Sequence, residues 1–182
     1  NYSDAALTLF TDMQDISYLS YDRFGNVIDQ KVDTYTTQTV QAGALVDHKA
    51  INNTYSNDIA ARRGNAATST ITRYLSLLET TANLIDRTVT NTSLFDSQGN
   101  ALLQTQDKYV FDASGAAIKT THLDINNSNY DNRGNAGSQT IATYLIDGHT
   151  QTLQTYQVFT NRNFDISHNV VNQMVLTYAG LK

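Results

Sequence analysis

The dipeptide Gly-Asn returns at Gly25-Asn26, Gly64-Asn65, Gly99-Asn100 and Gly134-Asn135, and the register continues at His168-Asn169. Successive copies stand 34 to 39 residues apart, a period at which one supersecondary unit is used repeatedly. Each copy of such a unit buries its apolar face only against its neighbours. Function in such arrays resides in shape and surface more than in a catalytic constellation.

Around the dipeptide the likeness widens. Tyr21 to Asn26, Phe95 to Asn100 and Phe164 to Asn169 are copies of one flavour. Arg63-Gly64-Asn65-Ala66, followed by Thr70-Ile71 and Tyr74-Leu75, alternates with them and returns as Arg133-Gly134-Asn135-Ala136, Thr140-Ile141 and Tyr144-Leu145. The lead-in Ile51-Asn52-Asn53 likewise returns as Ile125-Asn126-Asn127. The full repeat is therefore about 70–74 residues, made of two halves of about 35. Within a single β-repeat domain the half-repeats are 1–20 (partial), 21–59, 60–94, 95–129, 130–163 and 164–182 (partial).

Turn chemistry accounts for the spacing. Asp22 to Gly25, Asp96 to Gly99, Asp112 to Gly115 and Asp131 to Gly134 all read Asp-x-x-Gly, and Asp165 to His168 is a fifth copy with His in the glycine place. Asp at the first position of a type I turn accepts backbone N–H groups, and the fourth position favours a residue that tolerates positive φ. All of these Asp, Gly and His residues are expected to be structural. Asp147-Gly148 predicts a two-residue hairpin loop. Between turns the chain carries stretches of about 10 to 15 residues rich in Thr, Ile, Val, Tyr and Phe, which are strand formers. Val27 to Val40 alternates, with Ile28, Val32 and Val40 on one parity and Asp29, Lys31, Asp33 and Tyr35 on the other. On the same count Leu153 and Phe159 share one parity, and Tyr156 and Val158 the other. Tyr74 to Ile85 has a weak helical period, but its repeat-mate contains Asp-Gly, so both stretches are expected as strand. The expected fold is all-β: long antiparallel hairpins in tandem, forming an extended sheet, a sandwich or a shell-like array.

The rest of the composition narrows the function. A net charge of −5 argues against a phosphate-binding surface, and so against nucleic acid as partner. No cysteine is present, and no apolar run approaches the length of a membrane-spanning helix. Proline, which blunts many sheet edges, is absent. Glu79 is the single glutamate, and no nucleophile-elbow or zinc-protease motif occurs, so no enzyme activity, catalytic residue or cofactor is expected. His48 and His122 occupy equivalent repeat positions without a second ligand at fixed spacing, and each turn supplies one carboxylate, so no metal is expected; both histidines are read as partly exposed repeat positions. The rings that open the turns (Tyr21, Phe95, Phe111, Tyr130 and Phe164) are expected to pack on one another as a ladder.

Tyr21-Asp22-Arg23-Phe24-Gly25-Asn26 resembles the signature of the YD-repeat proteins, a group that includes Rhs proteins, teneurins and the shell components of insecticidal toxin complexes. Phe95 to Asn100, Phe111 to Gly115, Tyr130 to Asn135 and Phe164 to Asn169 look like variants of it. The resemblance implies antiparallel hairpins wound into a long sheet, in secreted or surface-displayed structural modules that are not catalytic. The interval here is longer than that family's, and the segment before Gly64 lacks the turn aspartate; an extended array is thus expected ahead of a closed shell.

The functional expectation is an extracellular or cell-surface structural protein, a building block of a filament, fibre or shell. Its expected partner is itself, head to tail, or neighbouring repeats of a longer chain. A second copy placed after Lys182 would bring its first Gly-Asn beyond His168-Asn169 at an interval inside the range found within the chain. Pairing is accordingly expected between residues 5–21 of one copy and 170–178 of the next. The alternative is an adhesin or fibre module that recognises a glycan or cell surface.

Overall fold

The computed structural model describes residues 10–180. Within them lie ten strands in one antiparallel sheet whose spatial order is the sequence order. They are β1 (Met13–Tyr21), β2 (Val27–Tyr35), β3 (Leu45–Thr54), β4 (Thr68–Tyr74), β5 (Leu84–Phe95), β6 (Ala101–Phe111), β7 (Ala117–Tyr130), β8 (Ala136–Asp147), β9 (Thr150–Phe164) and β10 (Val170–Ala179). Every substantial contact between elements joins consecutive strands, so the sheet is an open meander with no second layer among the described residues. Both faces remain wet in consequence. The chain exposes 10799 Å², against about 8700 Å² for a compact monomer of this mass.

One period spans two strands and the two connections that follow them. Four strands make the full repeat, and the cross-strand pairs recur with it. Asp33, His48 and Tyr74 lie side by side across β2, β3 and β4, as do Asp107, His122 and Tyr144 across β6, β7 and β8. On the opposite face Ile51 pairs with Ile71, and Ile125 with Ile141. Bulges repeat as well: Leu19 in β1 and Ser93 in β5 are the extra residues of equivalent irregularities. An extra residue bends the bulged strand and increases its twist, so the sheet curves at the same point in each repeat.

Four expectations about the strands need correction. The strand expected over Val27 to Val40 ends at Tyr35; residues 36–41 form a connection closed by the Thr36 amide on the Ala44 carbonyl (2.9 Å). Tyr74 to Ile85 is not one strand: residues 75–83 form a loop ending in a short 3-10 turn. Here the sequence lacks the two-residue hairpin chemistry of its mate, where Gly148 and His149 join β8 to β9 and Asp147 pairs with Thr150. The loop therefore begins one residue later than Asp147-Gly148. Finally, a bulge at Gln154 shifts the count in β9, which puts Leu153 on the face of Tyr156 and Val158 and leaves Phe159 on the other.

Candidate functional site

All five turn aspartates make the same set of bonds. In the first turn the Asp22 carbonyl accepts from the Gly25 amide (3.2 Å), and Asp22 Oδ1 accepts from the amides of Phe24 (2.8 Å) and Asn26 (2.9 Å). Gly25, Gly99, Gly115 and Gly134 have φ between 81° and 88°, and His168 has φ 65°. Asparagine follows the glycine because its amide closes the turn: Asn26 Nδ2 donates to Asp22 Oδ2 (2.8 Å), and Asn100, Asn135 and Asn169 repeat the bond on Asp96, Asp131 and Asp165. The turn at Asp112 has Ala116 there and uses the Ser114 hydroxyl instead (2.6 Å). That turn lies at the other end of the sheet from the rest.

The connections after β1, β3, β5, β7 and β9 line one end of the sheet and bind one another in a row. Asn26 Nδ2 also donates to the Ala61 carbonyl (2.6 Å), and Asn65 Nδ2 to the Gly99 carbonyl (2.8 Å). Arg63 donates to Asn100 Oδ1, Arg133 Nη1 to the Asp165 carbonyl (2.8 Å), and His168 Nδ1 meets Asn135 Oδ1 at 2.8 Å. The second member of the row is a four-residue helix, α1 (Asp58–Ala61), capped by the Asn57 side chain, which accepts from the Ile59 and Ala60 amides. Too short to leave a periodic signature, α1 buries Ala60 and Ala61, with Ala60 against Gly99 of the following turn. The opening rings do not form a ladder: ring contacts among the described residues are Tyr18–Tyr21, His48–Tyr74, His122–Tyr144 and Tyr156–Tyr178. Phe111 opens a turn at the end of the sheet opposite the other four, and Tyr130 spends its hydroxyl on the Ala101 carbonyl instead (2.5 Å).

The turn carboxylates titrate low. Asp131 falls from 3.8 to about 2, chiefly through the Asn135 amide and side chain. Asp112 and Asp165 are likewise lowered, by the side chains of Ser114 and Asn169 first. A carboxyl with a folded-state value below its unfolded one contributes stability above the unfolded value and loses it as pH falls through the folded one. The melting temperature is therefore expected to hold steady above about pH 4 and to drop between about pH 4 and 2. Thermal melts across that window check it, and Asp131→Asn should flatten part of the drop.

The histidines are placed differently from expectation. His48 is 2 % exposed, held between Asp33 on Nδ1 and Glu79 on Nε2 (3.2 Å). Glu79 comes from the β4–β5 loop, reaches over the sheet face and also pairs with Lys31 (2.5 Å). The Lys31 bond, with His48 adding to it, lowers the Glu79 carboxyl. His122 repeats the arrangement half-buried: Nδ1 meets Asp107 at 2.5 Å and Nε2 meets Asp124 at 3.1 Å. Burial pushes Asp107 up, but Lys119 and His122 outweigh it and hold the carboxyl low. Polar side chains are buried here because each is paired, as a desolvated charge requires. The sequence carried a signal for this: Asp33 and Asp107 are separated by the same interval as the two histidines, and each stands two places before a tyrosine. No group of three His, Asp or Glu side chains among the described residues is arranged to hold a metal ion.

Beside each cluster runs a groove. The first, about 420 Å³, has Asp29, Lys31, Ala50 and Asn52 on its lining, the bulge residue Leu19 at one side and Glu79 at the other. The second, about 260 Å³, is lined by Ser93, Leu103, Thr105, Asp124 and Asn126. Those five residues are the repeat equivalents of Leu19, Asp29, Lys31, Ala50 and Asn52, in that order.

At the edge of the sheet, β10 is exposed along its whole length. Its sequence, Val-Val-Asn-Gln-Met-Val-Leu-Thr-Tyr-Ala, includes no charge. Among the described residues it pairs with β9 alone. No helix among the described residues is long and apolar enough to cross a membrane. Neither a protein-family model nor a curated protein sequence matches the chain.

Proposed function

We propose that the chain is a structural building block of an extracellular or surface-displayed filament, fibre or shell, extended by strand pairing between copies or between repeats of a longer chain. The carrying observation is β10. Proteins that stay monomeric protect sheet edges with charge, proline or a covering element; β10 has neither charge nor proline and exposes Val171 at 64 % and Met174 at 45 %. A strand added there continues the antiparallel ladder with no change of plan, and its turn would join the row that His168-Asn169 ends. The head-to-tail form pairs β10 with residues 5–21 of another copy, of which 5–9 lie outside the described residues. The YD-repeat resemblance and the Thr- and Asn-rich surface support the extracellular setting. Such contacts do not close on themselves unless the rotation makes a ring, so they build open assemblies.

Placing Lys at Val171 and Val175 together installs the missing edge charge without touching a turn. The parent is expected to form concentration-dependent species in light scattering and fibres in electron micrographs, and V171K/V175K to remain monomeric. A parent that stays monomeric at high concentration would sink the reading.

A further inference from the structure

The two grooves are a duplicated feature, and duplication separates a built site from an accident of sheet curvature. Asn52 returns unchanged on the groove face as Asn126, and Gln30 and Ile51, whose side chains lie on the opposite face, return as Gln104 and Ile125. The remaining positions differ, yet each groove keeps one carboxylate fixed on a buried or half-buried histidine Nε2. In the first it is Glu79, reaching in from a loop; in the second it is Asp124, standing on β7 itself. Two different chain routes thus place the same acceptor at the same wall.

The lining defines what fits. Asp29 is already satisfied by the Ser20 hydroxyl (2.6 Å) and the Asn52 amide (2.5 Å), and Glu79 by Lys31 and His48. A cation would therefore compete with internal partners for both Asp29 oxygens and for Glu79 Oε1, and an anion would face two carboxylates in the first groove. A wholly apolar ligand would strand Asn52 Oδ1 and the Thr70 hydroxyl without water, and a polar group left unpaired in that way bears its full desolvation penalty. A hydroxyl is donor and acceptor at once and suits a wall of amides, hydroxyls and held carboxylates, with Leu19 or Leu103 beside it for the carbon face. We propose that the paired grooves bind a neutral, hydroxyl-rich chain, a short uncharged glycan, with one subsite in each repeat. Four strand spacings separate the subsites, roughly 19 Å along the sheet, so a longer chain spans both. This goes beyond the structural reading and does not depend on assembly.

The test uses the full chain carrying V171K/V175K, on an array of neutral, sialylated and sulfated oligosaccharides, followed by calorimetry with the strongest neutral hit. Binding is expected on neutral glycans only, with two equivalents of a short oligosaccharide per chain. Ala50→Tyr fills the first groove at a position where Asp124 shows the repeat accepts a larger side chain; stoichiometry should fall to one. Should that variant melt early, Asn52→Ala, which removes the lining side chain that both grooves share, serves instead and should weaken the first subsite at least tenfold, about 1.4 kcal/mol. Absence of signal on every neutral glycan overturns the proposal, as does binding that prefers acidic glycans or that neither variant changes.

Discussion

Gly99→Val is expected to destabilise the protein by about 3 kcal/mol or more, while Gly25→Val loses only about 1–2 kcal/mol. Both glycines have positive φ, 83° and 86°, which a β-branched residue adopts at a cost. They differ in what surrounds them. A Cβ at Gly25 meets nothing within 4 Å, whereas one at Gly99 would lie 2.7 Å from the Ala60 nitrogen and 2.8 Å from its Cα. That neighbour is the backbone of α1, buried and capped, and it cannot swing aside as a flexible side chain would. Melting both variants against the parent separates backbone strain from packing. Equal losses would show that the row of turns is not packed as described.

His48→Ala is expected to cost about 2–4 kcal/mol and His122→Ala about 1 kcal/mol. The same bonds are lost at both sites, but His48 is 2 % exposed, so its removal leaves a cavity and deprives Asp33 and Glu79 of a partner with little water to replace it. At His122 the side chain is 19 % exposed and solvent takes its place more readily. The pair of variants is read in thermal melts at neutral pH. Should both be neutral, the histidines hold nothing together; should both lose equally, burial is not what distinguishes them.

What was legible in the sequence was local. Asp-x-x-Gly specifies a turn over one short segment, and such turns at regular intervals dictate hairpins whatever lies between them. The absence of long-range crossings then follows, because consecutive strands joined by tight turns have only each other to pair with. Glu79 was illegible for the opposite reason: it meets His48 from far along the chain, out of a loop that looked like strand because its mate at Tyr144 is one. Parity failed in β9 because one extra residue, Gln154, reverses the faces of everything beyond it, and no periodicity count registers an insertion of one. The Asp33 partner of His48 was invisible too, since partners on other strands are set by register and not by spacing. The recurrence of Asp33 and His48 as Asp107 and His122, both at the full-repeat interval, was the trace that pointed there.

The meander has a kinetic consequence. Each strand pairs only with its predecessor and successor among the described residues, so every strand pairing closes a short loop and no distant pairing must be awaited; folding can begin at any hairpin and spread outward. Unfolding runs by the same logic in reverse, from the edge inward, since β10 peels away by releasing one neighbour while β5 or β6 must release two. Amide exchange should then be graded, fastest in β10 and slowest near the middle of the array. A strand supplied from outside would move that soft end one place further along, and β10 would become an interior strand with an interior strand's exchange rate.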